Sequence, residues 1–179
     1  MPRSSPLLLL LACCIGSVCA SSPIAPMRIS SSSFSDGAKM PPRLTCDGED
    51  LSPQVQIPSP PAGTKSFAIV MDDPDAPAAF VHWLAYGIPA DTRELAEGAS
   101  APSHPLEHAA EGINGFGRAG YGGPCPPEGK PHHYVLRVYA LDVLPPLAAG
   151  ANAAEVNAAM RAHVLAEGRI TGLYARGGG

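Results

Sequence analysis

Imidazole, phenol and carboxylate groups recur at the ends of short apolar runs in this chain. His132, His133 and Tyr134 follow directly on the loop Gly123-Pro124-Cys125-Pro126-Pro127-Glu128-Gly129-Lys130-Pro131 and lead into the apolar run 133–141. Asp72-Asp73-Pro74-Asp75-Ala76-Pro77 closes another apolar run, and Phe80-Val81-His82-Trp83 opens a third. Imidazole N–H, tyrosine O–H and the backbone N–H groups of a glycine-rich loop can converge on phosphate oxygens. A carboxylate among them repels an anion, but it can orient a histidine or accept from the ammonium of a zwitterionic head group. With no Lys or Arg in these motifs, at least one of His82 and His132 is expected to be protonated against a bound anion. Other chemistries fit less well. Two histidines and an aspartate can ligate a metal, but this spacing matches no zinc motif. Ser52 precedes Pro53 without a Gly-x-Ser-x-Gly elbow. No cofactor and no metal are assigned.

Read singly, each residue has a plain structural role. Asp73 before Pro74 is a turn residue, and His82 is a satisfied core histidine. Trp83 is core packing, the prolines stiffen a loop, and Tyr121 and Phe116 anchor one. The functional reading rests on their joint placement at strand ends. In a strand, residues two apart share a face. His132 and Tyr134 are therefore expected to point into a pocket and His133 away from it.

The elements that must position these groups are mostly strands. The sequence has 21 Pro and 19 Gly, which punctuate short apolar runs, as expected of a β domain with long structured loops. Strands are expected over 27–35, 54–57, 66–71, 82–88, 133–141 and 169–176, with mostly loop over 90–123. One helix is expected, capped by Asn152 with Glu155 three residues on. Its stripe is Val156, Met160 and Val164, and Gly168 ends it.

The first residues read as an export signal. Residues 7–18 are almost wholly apolar, and Val18-Cys19-Ala20 offers compact residues for cleavage. About a dozen apolar residues are too few to span a membrane. The expected organisation is a signal peptide over 1–20 and one domain over 21–179, secreted or periplasmic. The alternative is a lipoprotein anchored through Cys13, from Leu10-Leu11-Ala12-Cys13. Loss of Arg3 with the leader would take the net charge from −4 to −5, which argues against nucleic-acid binding. Cys46 and Cys125 are the only cysteines after residue 20, so an exported chain has one pairing open to it; two buried free thiols are the other reading.

Several ordered motifs resemble the phosphatidylethanolamine-binding protein family, most of all its bacterial, Raf-kinase-inhibitor-like branch. They are Asp73-Pro74-Asp75-Ala76-Pro77, His82-Trp83, Cys46-Asp47-Gly48-Glu49-Asp50-Leu51-Ser52-Pro53, the stretch 116–127, and His132 with Tyr134. The resemblance covers about residues 27–174. It implies a mainly β fold, a large antiparallel sheet packed on a smaller one with peripheral helices. It also implies a small anion pocket at one end of the sheet. By motif, Asp73 resembles the pocket carboxylate, His82 the pocket histidine, His132 and Tyr134 the pair on the following strand, and Gly123 and Pro126 the loop wall. His133 stands where eukaryotic members commonly carry Arg. The implied function is binding of a small phosphorylated or zwitterionic head group, without catalysis. The alternatives are a serine-protease inhibitor acting through a surface loop within 90–120, which makes a protease the partner, and a metal-dependent hydrolase. A homodimer is compatible with each reading.

Overall fold

The computed structural model describes residues 24–100 and 106–177. The expected leader and Cys13 lie outside them. The strands are β1 (Ala25–Pro26), β2 (Val55–Gln56), β3 (Ser66–Asp73), β4 (Phe80–Pro89), β5 (Glu94–Leu95), β6 (Ala110–Glu111), β7 (His132–Leu141) and β8 (Val164–Tyr174). One α-helix, α1 (Ala153–Met160), and a 3-10 turn over Pro42–Leu44 accompany them among the described residues. The large sheet has the order β1-β8-β7-β3-β4-β6, and β2 and β5 form a second, two-stranded sheet. β8, β7, β3, β4 and β6 pair antiparallel, while β1 joins the edge parallel to β8. The large sheet is therefore mixed, with its antiparallel part as expected.

Alternation along the long strands divides the apolar side chains between two faces. Phe67, Ile69 and Met71 of β3, Trp83 and Ala85 of β4, and Tyr134, Leu136 and Val138 of β7 enter the main core. Ala68, Leu84, Tyr86 and Leu141 enter the second, where Val156 and Met160 of α1 cover them. Fully burying one such large side chain contributes about 1.5–3 kcal/mol, so β3, β4 and β7 are held from both sides.

The helix starts as expected. The Asn152 side chain accepts from the Glu155 N–H at 3.0 Å, and the Glu155 carboxylate accepts from the Asn152 N–H at 2.8 Å. It ends two turns early. Val164 is not on its stripe but opens β8, paired with Leu141, and Gly168 pairs with Val138 in mid-strand. A Cβ on Gly168 would lie 2.7 Å from the Met27 carbonyl oxygen, so this glycine admits the N-terminal segment where it crosses the sheet edge. The first strand also differs: β1 lies ahead of 27–35, where a single bridge joins Ser30 to Gln56. The serines there serve as polar ties, with the Ser33 hydroxyl bonded to Glu97 and to the Gln54 N–H.

Candidate functional site

Three strands bring their polar ends to one end of the large sheet. Asp73 ends β3, Phe80 begins β4 opposite it, and His132 begins β7 opposite Tyr174 of β8. Asp72 pairs with Val135, so Asp73 lies on the core face shared by Tyr134.

His82 reaches this face through an irregularity. Met71 pairs with Trp83, but Asp72, the next residue, pairs with Val81. His82 is thus the extra residue of a β-bulge, a device that re-aims a side chain against strict alternation. The bulged strand is fastened to the glycine loop. The Gly122 N–H donates to the His82 carbonyl at 2.9 Å, and His82 Nδ1 lies 2.7 Å from the Gly122 carbonyl oxygen. That oxygen only accepts, so Nδ1 carries the proton, and a neutral ring has its lone pair on Nε2. Burial lowers the His82 pKa, against the opposing effect of the Gly122 carbonyl and the Asp73 charge. Burial thus favours the neutral form of His82, the form that accepts at Nε2.

His132 is held differently. Its Nδ1 is 2.7 Å from Asp73 Oδ2, and Asp73 Oδ1 accepts from the N–H groups of Asp75 and Ala76 at 2.8 and 3.1 Å. The buried carboxylate thus ties the 73–76 turn to the first residue of β7. His133 turns outward, where its backbone N–H and its ring Nδ1 both approach Asp75 Oδ2 at 2.7 Å. The backbone bond, then the ring, lower the Asp75 pKa. Tyr134 is fully buried, and its hydroxyl makes no hydrogen bond of ordinary geometry among the described residues. Burial first, and then the nearby Asp73 carboxylate, raise its pKa well above the usual tyrosine value.

These groups line a cavity of about 120 Å³ together with Ala76, Pro77, Phe80, Phe116, Cys125, Pro126 and Pro127. Asp73, His82, Pro126, His132 and Tyr134 all meet there. Gly123 does not line it but stands behind the wall, donating its N–H to Asp50 Oδ1 at 2.5 Å. A Cβ there would lie 2.4 Å from the Leu44 carbonyl oxygen, so Gly123 lets the proline wall pack against the 3-10 turn. Cys125 is bonded to Cys46 with Cα atoms 5.4 Å apart, pinning the same wall. Tyr121 is the expected loop anchor, its buried hydroxyl donating to the Leu44 carbonyl at 2.7 Å. Phe116 packs against Phe80 and His82 yet stays 45% exposed, so it also lines the cavity. Its position within the 116–127 motif was the available signal.

The cavity can offer an anion the His132 imidazole and the Tyr134 hydroxyl, and it can accept a hydrogen bond at His82 Nε2. No Lys or Arg lines it among the described residues. No cluster of three or more His, Cys, Asp or Glu placed to hold a metal occurs among the described residues.

The family model described as phosphatidylethanolamine-binding protein matches residues 30–175. A UPF0098 protein of Aquifex aeolicus is 47% identical over 157 residues, 84% of this chain and 89% of that one. The UPF0098 protein YbhB of Escherichia coli is 35% identical over 161 residues, 83% of this chain and 99% of that one. The crystal structure of E. coli YbcL, described as a new member of the mammalian PEBP family, is similar with a TM-score of 0.79 at 34% identity, covering 84% of this chain and 99% of that one.

Proposed function

The chain belongs to the phosphatidylethanolamine-binding protein family, and on that premise we propose that it is an exported binding protein for a small phosphorylated or zwitterionic head group. One observation carries the reading: His132, oriented by Asp73, shares a small cavity with a buried Tyr134 hydroxyl that makes no hydrogen bond of ordinary geometry among the described residues. A buried hydroxyl without a partner costs roughly 1–3 kcal/mol, which an anionic oxygen in the cavity recovers. The His82 lone pair accepts from a protonated phosphate oxygen. Binding rather than catalysis is the reading that membership of this family supports.

Export is supported by the apolar stretch 7–18 and by the disulfide, a bond kept in oxidising compartments. Cys13 acylation is the alternative route to the same compartment.

Calorimetric titration with phosphoethanolamine tests the reading. The wild-type protein binds, and folded His132→Ala binds about tenfold or more weakly, as loss of one charge-assisted bond requires. Equal affinity of the two proteins overturns it.

A further inference from the structure

Phe116 is the large apolar side chain that the cavity exposes most, and its position is built rather than incidental. Its ring stands edge-on to Phe80 at 4.8 Å and to His82 at 5.6 Å between centroids. The Arg118 guanidinium lies 5.5 Å from the ring centre. Arg118 is itself fixed by Asp50 at 2.8 Å, and Asp50 holds the Gly123 N–H behind the proline wall. Two glycines clear the space. A Cβ on Gly122 would lie 2.5 Å from Phe116 Cδ2, and one on Gly115 would lie 2.7 Å from Phe80. Neither glycine has a left-handed backbone, so room for the rings, not conformation, is what a side chain there would remove.

The cavity is small, about 120 Å³, and its Asp73, His82 and Tyr134 are buried while Phe116 is exposed. A tetrahedral anion with little more fills it. Any further substituent must leave through the mouth, past Phe116, Pro77 and Pro127. All three offer apolar surface there.

Resting on the anion-pocket reading above, we propose that Phe116 is the specificity-determining residue of this pocket. It selects phosphate esters whose substituent next to the phosphate is apolar or aromatic over inorganic phosphate. The substituent packs on the Phe116 ring while the phosphate engages His132 and Tyr134.

Paired calorimetric titrations with phenyl phosphate and inorganic phosphate test this in wild-type, Phe116→Ala and Phe116→Leu proteins, with folding checked by melting curves. The wild type binds phenyl phosphate about tenfold more tightly than inorganic phosphate, the effect of one aromatic contact with its burial. In Phe116→Ala that ratio falls to within about threefold. Phe116→Leu, which keeps apolar bulk, gives an intermediate ratio. A wild-type protein that binds both ligands equally, or an unchanged ratio in both variants, overturns the proposal while the anion pocket stands. A wild-type protein that binds neither ligand overturns the pocket reading, and this inference with it.

Discussion

Asp73 Oδ2 lies 2.7 Å from His132 Nδ1, joining residues 59 positions apart, while Asp73 Oδ1 holds the turn that follows β3. One carboxylate therefore has two separable duties. Asp73→Ala leaves the Asp75 and Ala76 N–H groups without their acceptor and should cost about 1–3 kcal/mol of stability. Asp73→Asn keeps an acceptor for the turn and should cost less. Both should weaken phosphoethanolamine binding about tenfold, because His132 loses its charged partner. Denaturant melts and titrations on the two variants separate the duties. Tighter binding by Asp73→Asn would mean that repulsion between carboxylate and anion outweighs orientation of the ring.

His82 sets a pH dependence of binding. The neutral ring, with Nδ1–H given to Gly122, accepts at Nε2 and so favours a phosphate that still carries a proton. The second ionisation of a phosphomonoester falls near pH 6. Affinity for phosphoethanolamine should therefore fall as pH rises from about 5.5 to 7.5. Taurine, its sulfonate counterpart, carries no such proton and should bind more weakly at pH 6. Equal affinity for the two at that pH contradicts the acceptor role.

The same residue should mark the stability profile. Its folded pKa lies below its unfolded value of about 6.5, so the unfolded chain binds the proton more readily. The contribution of His82 is complete above about pH 6.5 and is lost as pH falls through that value towards the folded pKa. Glu97, depressed first by its bond from Arg43, and Asp75, depressed by the His133 N–H, lose theirs only in the more acidic range of carboxylates. Melting temperature should thus decline in two steps on acidification. His82→Gln should remove the upper step and leave the lower one.

Much of this was legible from residue types. The runs that became β3, β4 and β7 are bounded by proline and aspartate, and their apolar content fits strands buried on both faces. His132 and Tyr134 share a face, as simple alternation required, and His133 turns away. The placement of His82 was not legible, because a bulge is a property of the pairing between β3 and β4 and leaves no local period. The end of α1 was missed for a similar reason. Residues 161–168 carry helical spacing, but pairing of β8 with β7 outcompetes it, and His163 is tied to Asp142 at 2.8 Å as the strand begins. Gly123 reads as pocket wall in the motif, whereas its close approach to Leu44 is a long-range contact.

Cys46 and Cys125 are separated by 79 positions, and their bond closes a long loop around the pocket wall. Chain-entropy reasoning assigns such a closure about 4–5 kcal/mol, with measured values usually lower. Reduction, or Cys46→Ser with Cys125→Ser, should lower the melting temperature by about 10 °C. It should also weaken phosphoethanolamine binding, since Pro126 and Pro127 follow Cys125 directly. A reduced protein with unchanged affinity would show that the wall is held by the Gly123–Asp50 bond alone.

Glu111 is buried and accepts from the Trp83 indole at 3.1 Å, the Leu106 N–H at 3.2 Å and the Ser100 hydroxyl. It fastens the loop after β5 to the core beneath the sheet. Glu111→Ala should cost about 3 kcal/mol or more through the donors left without an acceptor. Urea denaturation measures this, and a loss under 1 kcal/mol would remove the network from the account of stability.

The central claim is that an anion sits between His82 and His132. The chain has six histidines, at positions 82, 104, 108, 132, 133 and 163, and their imidazole NMR signals can be followed together during titration with phosphoethanolamine at pH 6. The account predicts saturable shifts at His82 and His132, with His108, His133 and His163 moving far less. Shifts led by His133 or His163, or a flat response at His82 and His132 while the ligand binds, would contradict it.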